Sequence, residues 1–315
     1  MAVAGLSMPE AQPPTMTTDA DAQLIARIRA LTTPLAPLPT AVSPRVDPLT
    51  GIRAVLFDVY GTLVISGCGD IGLTATDDLP KAFAEAWRAA ELDSGALPEG
   101  FDAATTLKDK IQADHAASRA AGVDYPEVDI VAIWRRLLAD LRISADDSRL
   151  RRLALEYELR TNPVWPMPGL AAVLATLAAR GLVLGLVSNA QFYTPLMLEA
   201  FLGRPLAAAG LDPDCCLLSY REAVAKPSTA IYRPALDALQ SGHGVAPEAV
   251  LYIGNDIRND VQPARALGCR TALFAGDARS LRLREDDPVL RRVVPDRVLT
   301  ELEQLTTQLL PAAPG

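Results

Sequence analysis

Four apolar residues, Ala54 to Phe57, run directly into Asp58, and after two more residues the chain turns on Gly61-Thr62. An unbroken apolar run fits a strand buried on both faces of a parallel sheet. In such sheets ligands sit just beyond the carboxyl ends of the strands. Asp58 therefore stands where chemistry would be. In isolation it could equally be the first residue of a turn, and the other strand ends have to decide.

From Gly169 onward helix and strand alternate. A helix over 169–180 closes on Gly181, which suits a left-handed C-terminal cap. An apolar strand over 182–187 ends on Ser188-Asn189, and a helix is predicted over 193–202. A short strand, 215–218, leads to Lys226-Pro227 and to a helix that Pro234 starts or bends. The next strand, 250–253, ends in Gly254-Asn255-Asp256; a helix through Leu267 follows, then a strand over 270–274. This alternation implies a parallel sheet with helices on both faces. Residues 279–292 are charged and carry no clear period, and 295–310 reads as a final amphipathic helix.

The stretch from about 78 to 161 is different. Apolar residues recur at helical spacing over 79–92, 103–121 and 130–141, and Ser144 or Asp146 can start a further helix. No strand pattern interrupts it, so it reads as a helical module inserted between two parts of the sheet domain. Pro163, Pro166 and Pro168 mark its exit. Ahead of the first strand, residues 1–18 lack periodicity and are expected to be disordered. A short helix from Thr18 or Asp19 to Leu31 precedes an extended linker with five prolines between Pro34 and Pro48. The apolar face of that helix has two destinations, its own domain or a partner chain, and a homodimer is one assembly it allows.

The chain has 315 residues, half of them hydrophobic, and a formal net charge of −8, enough for a substantial core. No run of 18 apolar residues indicates a membrane span, and the N-terminus lacks the pattern of a secretory signal. The acidic balance without a basic block argues against nucleic acid. Cys68, Cys215, Cys216 and Cys269 show no CxxC spacing and read as reduced thiols of a cytoplasmic protein. The two histidines, His115 and His243, lie far apart and make a histidine-based zinc site a poor fit.

Polar groups thus stand at four strand ends: Asp58; Ser188 with Asn189; Lys226; and Asp256 with Asp260. Each has a bland reading as turn former, cap or surface residue, but the strand-end rule converges all four on one rim. Their order and local patterns resemble the haloacid dehalogenase-like (HAD) hydrolases. The matching stretches are Asp58-Val59-Tyr60-Gly61-Thr62-Leu63, Ser188-Asn189, Lys226-Pro227 and Gly254-Asn255-Asp256-Ile257-Arg258-Asn259-Asp260. The resemblance covers about residues 52–275. It implies an α/β fold, a Rossmann-like core with a parallel sheet and an inserted helical cap. The expected division is a flexible proline-rich extension over 1–50, a core over 51–66 and 165–315, and a cap over 67–164.

The resemblance also implies roles. Asp58 would be the nucleophile of a covalent intermediate that water then hydrolyses. Lys226 would keep Asp58 ionised and stabilise negative charge. Thr62, Ser188 and Asn189 would bind phosphate oxygens or a carboxylate. Asp58, the carbonyl of Tyr60, Asp256 and Asp260 would hold Mg²⁺, a hard cation that prefers oxygen donors. Two departures bear on the reaction. Phosphatases of this superfamily usually carry an aspartate where Tyr60 stands, as general acid and base; 2-haloacid dehalogenases carry tyrosine there and need no metal. Asp70, in the following loop, is a candidate replacement acid. In the fourth motif, Asn255 stands where phosphatases commonly have aspartate, yet the acidic pair beside it suits a metal. Dehalogenases also use a cap arginine for the substrate carboxylate, with Arg88 and Arg119 as candidates here. His115 and Arg119 share one helix face and could reach substrate. The leading expectation is a Mg²⁺-dependent phosphohydrolase of a small phosphorylated metabolite. The alternatives are a metal-independent 2-haloacid dehalogenase, and a HAD-fold binding protein with little turnover.

Overall fold

The computed structural model describes residues 18–68, 79–93, 95 and 97–311. Its centre is a six-stranded sheet in the order β5-β4-β1-β6-β7-β8, with every neighbouring pair parallel. The strands are β1 (Ala54–Phe57), β4 (Val183–Ser188), β5 (Leu211–Leu218), β6 (Val250–Gly254), β7 (Arg270–Phe274) and β8 (Arg297–Leu299). β1 lies in the middle, with all four residues at 0 % exposure, which is why its sequence shows no alternation. Helices α6 (Leu170–Ala179), α7 (Tyr193–Leu202), α8 (Ser219–Glu222), α9 (Arg233–His243) and α10 (Gln262–Ala266) connect these strands. β5 starts four residues before the expected Cys215 and contains Pro213. Pro cannot donate to a ladder, and β5 tolerates it as an edge strand.

The inserted module is four helices: α2 (Leu79–Ala89), α3 (Ala103–Ala120), α4 (Ile130–Asp140) and α5 (Asp147–Thr161). The side chains of Asp102, Asp129 and Asp146 accept backbone N–H bonds at the starts of the last three, satisfying donors a helix start leaves open. Phe83, Trp87 and Trp134 fill the centre of this module, with Trp134 edge-on to Tyr157 at a centroid distance of 5.6 Å. A two-stranded antiparallel ribbon, β2 (Val64–Ser66) with β3 (Val164–Pro166), joins the module to the sheet at its entry and exit. Three-residue strands are too short for periodicity to reveal.

Residues 295–310 do not form the expected amphipathic helix. β8 pairs with β7 on one side, Arg45 pairs with Val298 on the other, and only Leu305–Leu309 winds into a single wide helical turn. Tertiary pairing overrides a weak local preference. The proline-rich stretch is extended and laid along the core: Thr40 Oγ1 donates 2.8 Å to Ala275 O, and Leu49 N donates 2.8 Å to Leu309 O.

Helix α1 (Asp19–Leu31) packs against α5 and α7 of its own chain, burying Leu24 and Ile28. Glu156, on α5 with a fully buried side chain, accepts from Arg27 of α1 and from Arg152 and Arg160 of its own helix. Burial pushes its carboxyl up, but the three guanidinium groups outweigh this and hold it below the ordinary value. Removing the carboxylate strands three cations that still reach water in part, so Glu156→Ala is expected to cost about 3 kcal/mol, the low end for a broken buried pair. Because the folded carboxyl is depressed, the stabilisation is present above the ordinary glutamate value and lost as pH falls through the lower folded value. Urea melts between pH 3 and 7 check both: the variant should lose most at neutral pH and converge on the unaltered protein in acid.

Candidate active site

All four sequence-predicted strand ends meet on one rim. Asp58 follows β1, Ser188 ends β4, Lys226 follows β5, and Asp256 and Asp260 follow β6. Because β4, β1 and β6 are adjacent in a parallel sheet, their carboxyl ends lie side by side. Lys226 Nζ donates to Asp58 Oδ1 and to Asp260 Oδ1, each at 2.6 Å, and Ser188 Oγ donates to Asp58 Oδ1 at 2.9 Å. Lys226 is 6 % exposed and Asp58 5 %, so these contacts work at low dielectric, where they are stronger than in water.

The charge state follows. Burial works against the Lys226 ammonium, but Asp260 and Asp58 outweigh it and raise its pKa. Asp260 is pushed up to about 6, first by burial and then by Asp58, with Lys226 pulling the other way. Asn189 acts on the lysine: its Oδ1 accepts from Lys226 N at 2.7 Å and its Nδ2 donates to Lys226 O at 3.3 Å. This clamp fixes the start of the side chain whose tip holds the nucleophile. Tyr252 of β6, unnoticed in the sequence, stands 3.1 Å from Asp260 Oδ1 while donating 2.8 Å to Val187 O.

A cavity of about 110 Å³ opens over Asp58, with Tyr60, Asn189, Lys226, Asp256 and Asp260 in its wall. This is room for a few water molecules. Tyr60 turns its hydroxyl to Thr194 Oγ1 at 3.0 Å. Its phenol is raised well above 10 by burial, then by Glu158 and Asp58, and it stays neutral at pH 7. Thr62 is fully buried behind the wall and donates to Asn255 Oδ1 at 3.3 Å. Arg88, His115 and Arg119 are not among the described residues of the cavity wall. Asp70 lies outside the described residues. Behind Tyr60, Glu158 of α5 accepts from Tyr193 and Asn162, and burial raises its carboxyl. Ser66 lines the cavity and donates 2.8 Å to Asn162 Oδ1.

The oxygen donors suit a hard cation. Asp58, Asp256 and Asp260 share the cavity wall, and among the described residues Asp58 Oδ2 takes no hydrogen bond. Asp256 is gripped by Arg284, whose Nε lies 3.1 Å from Oδ1 and Nη2 2.6 Å from Oδ2; a metal at Asp256 would share or displace that guanidinium. Among the described residues no three His, Cys, Asp or Glu side chains form a ready metal cage. Mg²⁺ ordinarily does without one, taking one or two carboxylates together with water and substrate phosphate.

The haloacid dehalogenase-like hydrolase family model matches residues 52–268. The chain is 28 % identical over 235 residues to a phosphoglycolate phosphatase of Salmonella choleraesuis, covering 71 % of this chain and 81 % of that one. It is 30 % identical over 167 residues to a phosphoserine phosphatase of Thermus thermophilus, covering 50 % of this chain and 63 % of that one. Among solved structures, a 2-haloacid dehalogenase from Pseudomonas syringae pv. Tomato superposes with a TM-score of 0.51 at 22 % identity, over 81 % of this chain and 96 % of that one. With the four motifs gathered around Asp58 and the family model matching residues 52–268, the chain belongs to the haloacid dehalogenase-like hydrolases.

Proposed function

We propose that this hydrolase cleaves a small phosphorylated metabolite through a covalent intermediate on Asp58. The observation that carries the reading is the buried Lys226 ammonium bridging Asp58 and Asp260 at 2.6 Å each. It pairs with Asp58 and fixes the direction of its carboxylate, which is what a positioned nucleophile requires. One Asp58 oxygen attacks phosphorus; the P–O ester bond breaks and the alcohol departs with a proton from water. Water then attacks the aspartyl phosphate, releasing phosphate and restoring the carboxylate. Lys226 and Ser188 stabilise negative charge on the transferring group throughout. Tyr60 closes the wall as a neutral phenol and exchanges no proton. Asp58, the Tyr60 carbonyl, Asp256 and Asp260 would hold Mg²⁺, which when bound neutralises phosphate charge facing the anionic nucleophile. The names of the two curated relatives, both phosphatases, and the acidic pair in the fourth motif support phosphate over halide.

The purified protein is offered p-nitrophenyl phosphate, 2-phosphoglycolate and 2-chloropropionate, each with Mg²⁺ and with EDTA. Phosphate release that EDTA abolishes and Mg²⁺ restores is expected. Release indifferent to EDTA overturns the metal requirement; halide release without phosphate release overturns the reaction.

A further inference from the structure

The loop between α3 and α4, residues 121–129, leaves the cap and lies against the core. Ala225 N donates 2.7 Å to Tyr125 O, and Glu127 N donates 3.2 Å to Ala223 O, so Pro126 and Val224 face each other across a short antiparallel bridge. The core side of this bridge is the segment that delivers Lys226. It begins at Ala223, whose backbone is left-handed at φ +53°. Residues other than glycine avoid that conformation unless their surroundings hold them in it.

Side chains reinforce the bridge. Glu127 Oε2 accepts from Ser219 Oγ at 2.7 Å, and Glu127 Oε1 from Val128 N at 2.9 Å. Burial raises the Glu127 carboxyl, against the pull of the Ser219 hydroxyl, the Val128 N–H and nearby His115. Burying a carboxyl costs free energy unless hydrogen bonds compensate, and here both oxygens have a donor. Ser219, the residue after β5, is fully buried, and its Oγ in turn accepts from Ala190 N at 2.9 Å. Gln191 reaches across from the loop after β4. Its Nε2 donates 2.8 Å to Val128 O, and its Oε1 accepts from Ile130 N at 3.0 Å. A side chain of the core thus satisfies a donor that the start of α4 leaves open.

These ties end on the two residues that hold the catalytic lysine. Ala190 follows Asn189 and Ala225 precedes Lys226. The Asn189–Lys226 clamp therefore has a cap-held neighbour on either side: Ala190 through Ser219 to Glu127, and Ala225 directly to Tyr125. The β2–β3 ribbon joins the cap to the sheet at its entry and exit; the 125–130 segment is a further attachment in its middle. We propose that this segment is a clasp through which the cap sets the position of Lys226 against Asp58, with Glu127 as its positioning residue. Glu127 is not among the described residues of the cavity wall, so it acts through Ser219 and the backbone on either side of the clamp. The clasp serves the Lys226–Asp58 pair whatever bond the nucleophile breaks, and so goes beyond the phosphohydrolase reading.

Glu127→Ala, Glu127→Gln and Gln191→Ala are compared in the full chain, each well below its own melting temperature. Under those conditions a residue that only stabilises the fold leaves kcat unchanged. Misplacing a catalytic group by about 1 Å costs up to about 10²-fold. For Glu127→Ala, kcat on p-nitrophenyl phosphate is therefore expected to fall about 10- to 100-fold, with KM within about threefold. Glu127→Gln keeps an oxygen for the Ser219 hydroxyl and should stay within about threefold of the unaltered protein. Gln191→Ala cuts the other arm and should show the same split; it is the deciding variant where Glu127→Ala does not fold. Hydrogen exchange read by mass spectrometry needs no turnover: in both alanine variants the Ala225 and Lys226 amides should exchange about tenfold faster, with β1 and β6 unchanged. Unchanged kcat, unchanged exchange at those two amides, or a Glu127→Gln variant as slow as Glu127→Ala overturns the clasp. Release of halide from 2-chloropropionate in place of phosphate removes the phosphatase reading alone, and the same ratios, taken on that substrate, then judge the clasp.

Discussion

Asp58→Asn is expected to abolish turnover while leaving the fold and the cavity over residue 58 in place. The amide keeps the shape of the carboxylate but cannot attack, so kcat is expected to fall by ~10⁴-fold or more, the scale seen when a covalent nucleophile is removed. The substitution also removes one of two anions held by Lys226, while Asp260 remains 2.6 Å from that ammonium. The lysine therefore keeps a partner and the melting temperature should change little. Turnover of p-nitrophenyl phosphate and a far-UV circular dichroism melt check the two halves. Retention of even a tenth of the activity would remove Asp58 from its role, and with it the covalent mechanism.

Lys226→Met is expected to fail in both respects. Methionine approximates the aliphatic stem but leaves Asp58 and Asp260 buried at 5 % and 1 % exposure without the ammonium that touches both. Removing one partner from a buried charge network costs about 3–5 kcal/mol. Asp260, at about 6 even beside the lysine, would rise further and take up a proton. Its protonated form relieves the repulsion, so the cost should shrink as pH falls toward 5. For catalysis, losing a preorganised cation at the developing charge costs ~10²- to 10³-fold in kcat. Chemical denaturation at pH 5 and pH 8, with kinetics at both, reads the stability and rate effects separately. A variant as stable as the parent at pH 8 would show that the bridge carries no such weight.

Much of this site is legible in the amino-acid sequence. Asp58, Ser188, Lys226, Asp256 and Asp260 each end or follow an apolar strand, and a parallel sheet has one catalytic rim. Asn189 is legible as a site residue but not as the clamp on Lys226, because its partner is 37 residues away. Tyr60 is legible as a departure from an acidic residue. That its phenol points to Thr194 and stays neutral depends on α7 and on burial beneath the cap. Ser280, Arg282 and Arg284 escape a sequence reading. Ser280 lies in a turn and Arg282 is held by a single bridge to Asp256, so no periodic element announces them.

The sequence by itself determined the order of the strands and helices of the sheet domain from Gly169 to Phe274, the inserted four-helix module, and the rim on which the chemistry-bearing residues gather. These follow from local periodicity and from the handedness of parallel crossovers, which leave few topologies open. Only the tertiary structure decided that Arg297–Leu299 pair as a strand within 295–310, that α1 covers its own domain, and that Arg284 stands at Asp256. It also brought Ser280 and Arg282 into the cavity wall. Each of these depends on contacts between segments far apart in the chain, whose free energy comes from burial and pairing that no short window of sequence contains.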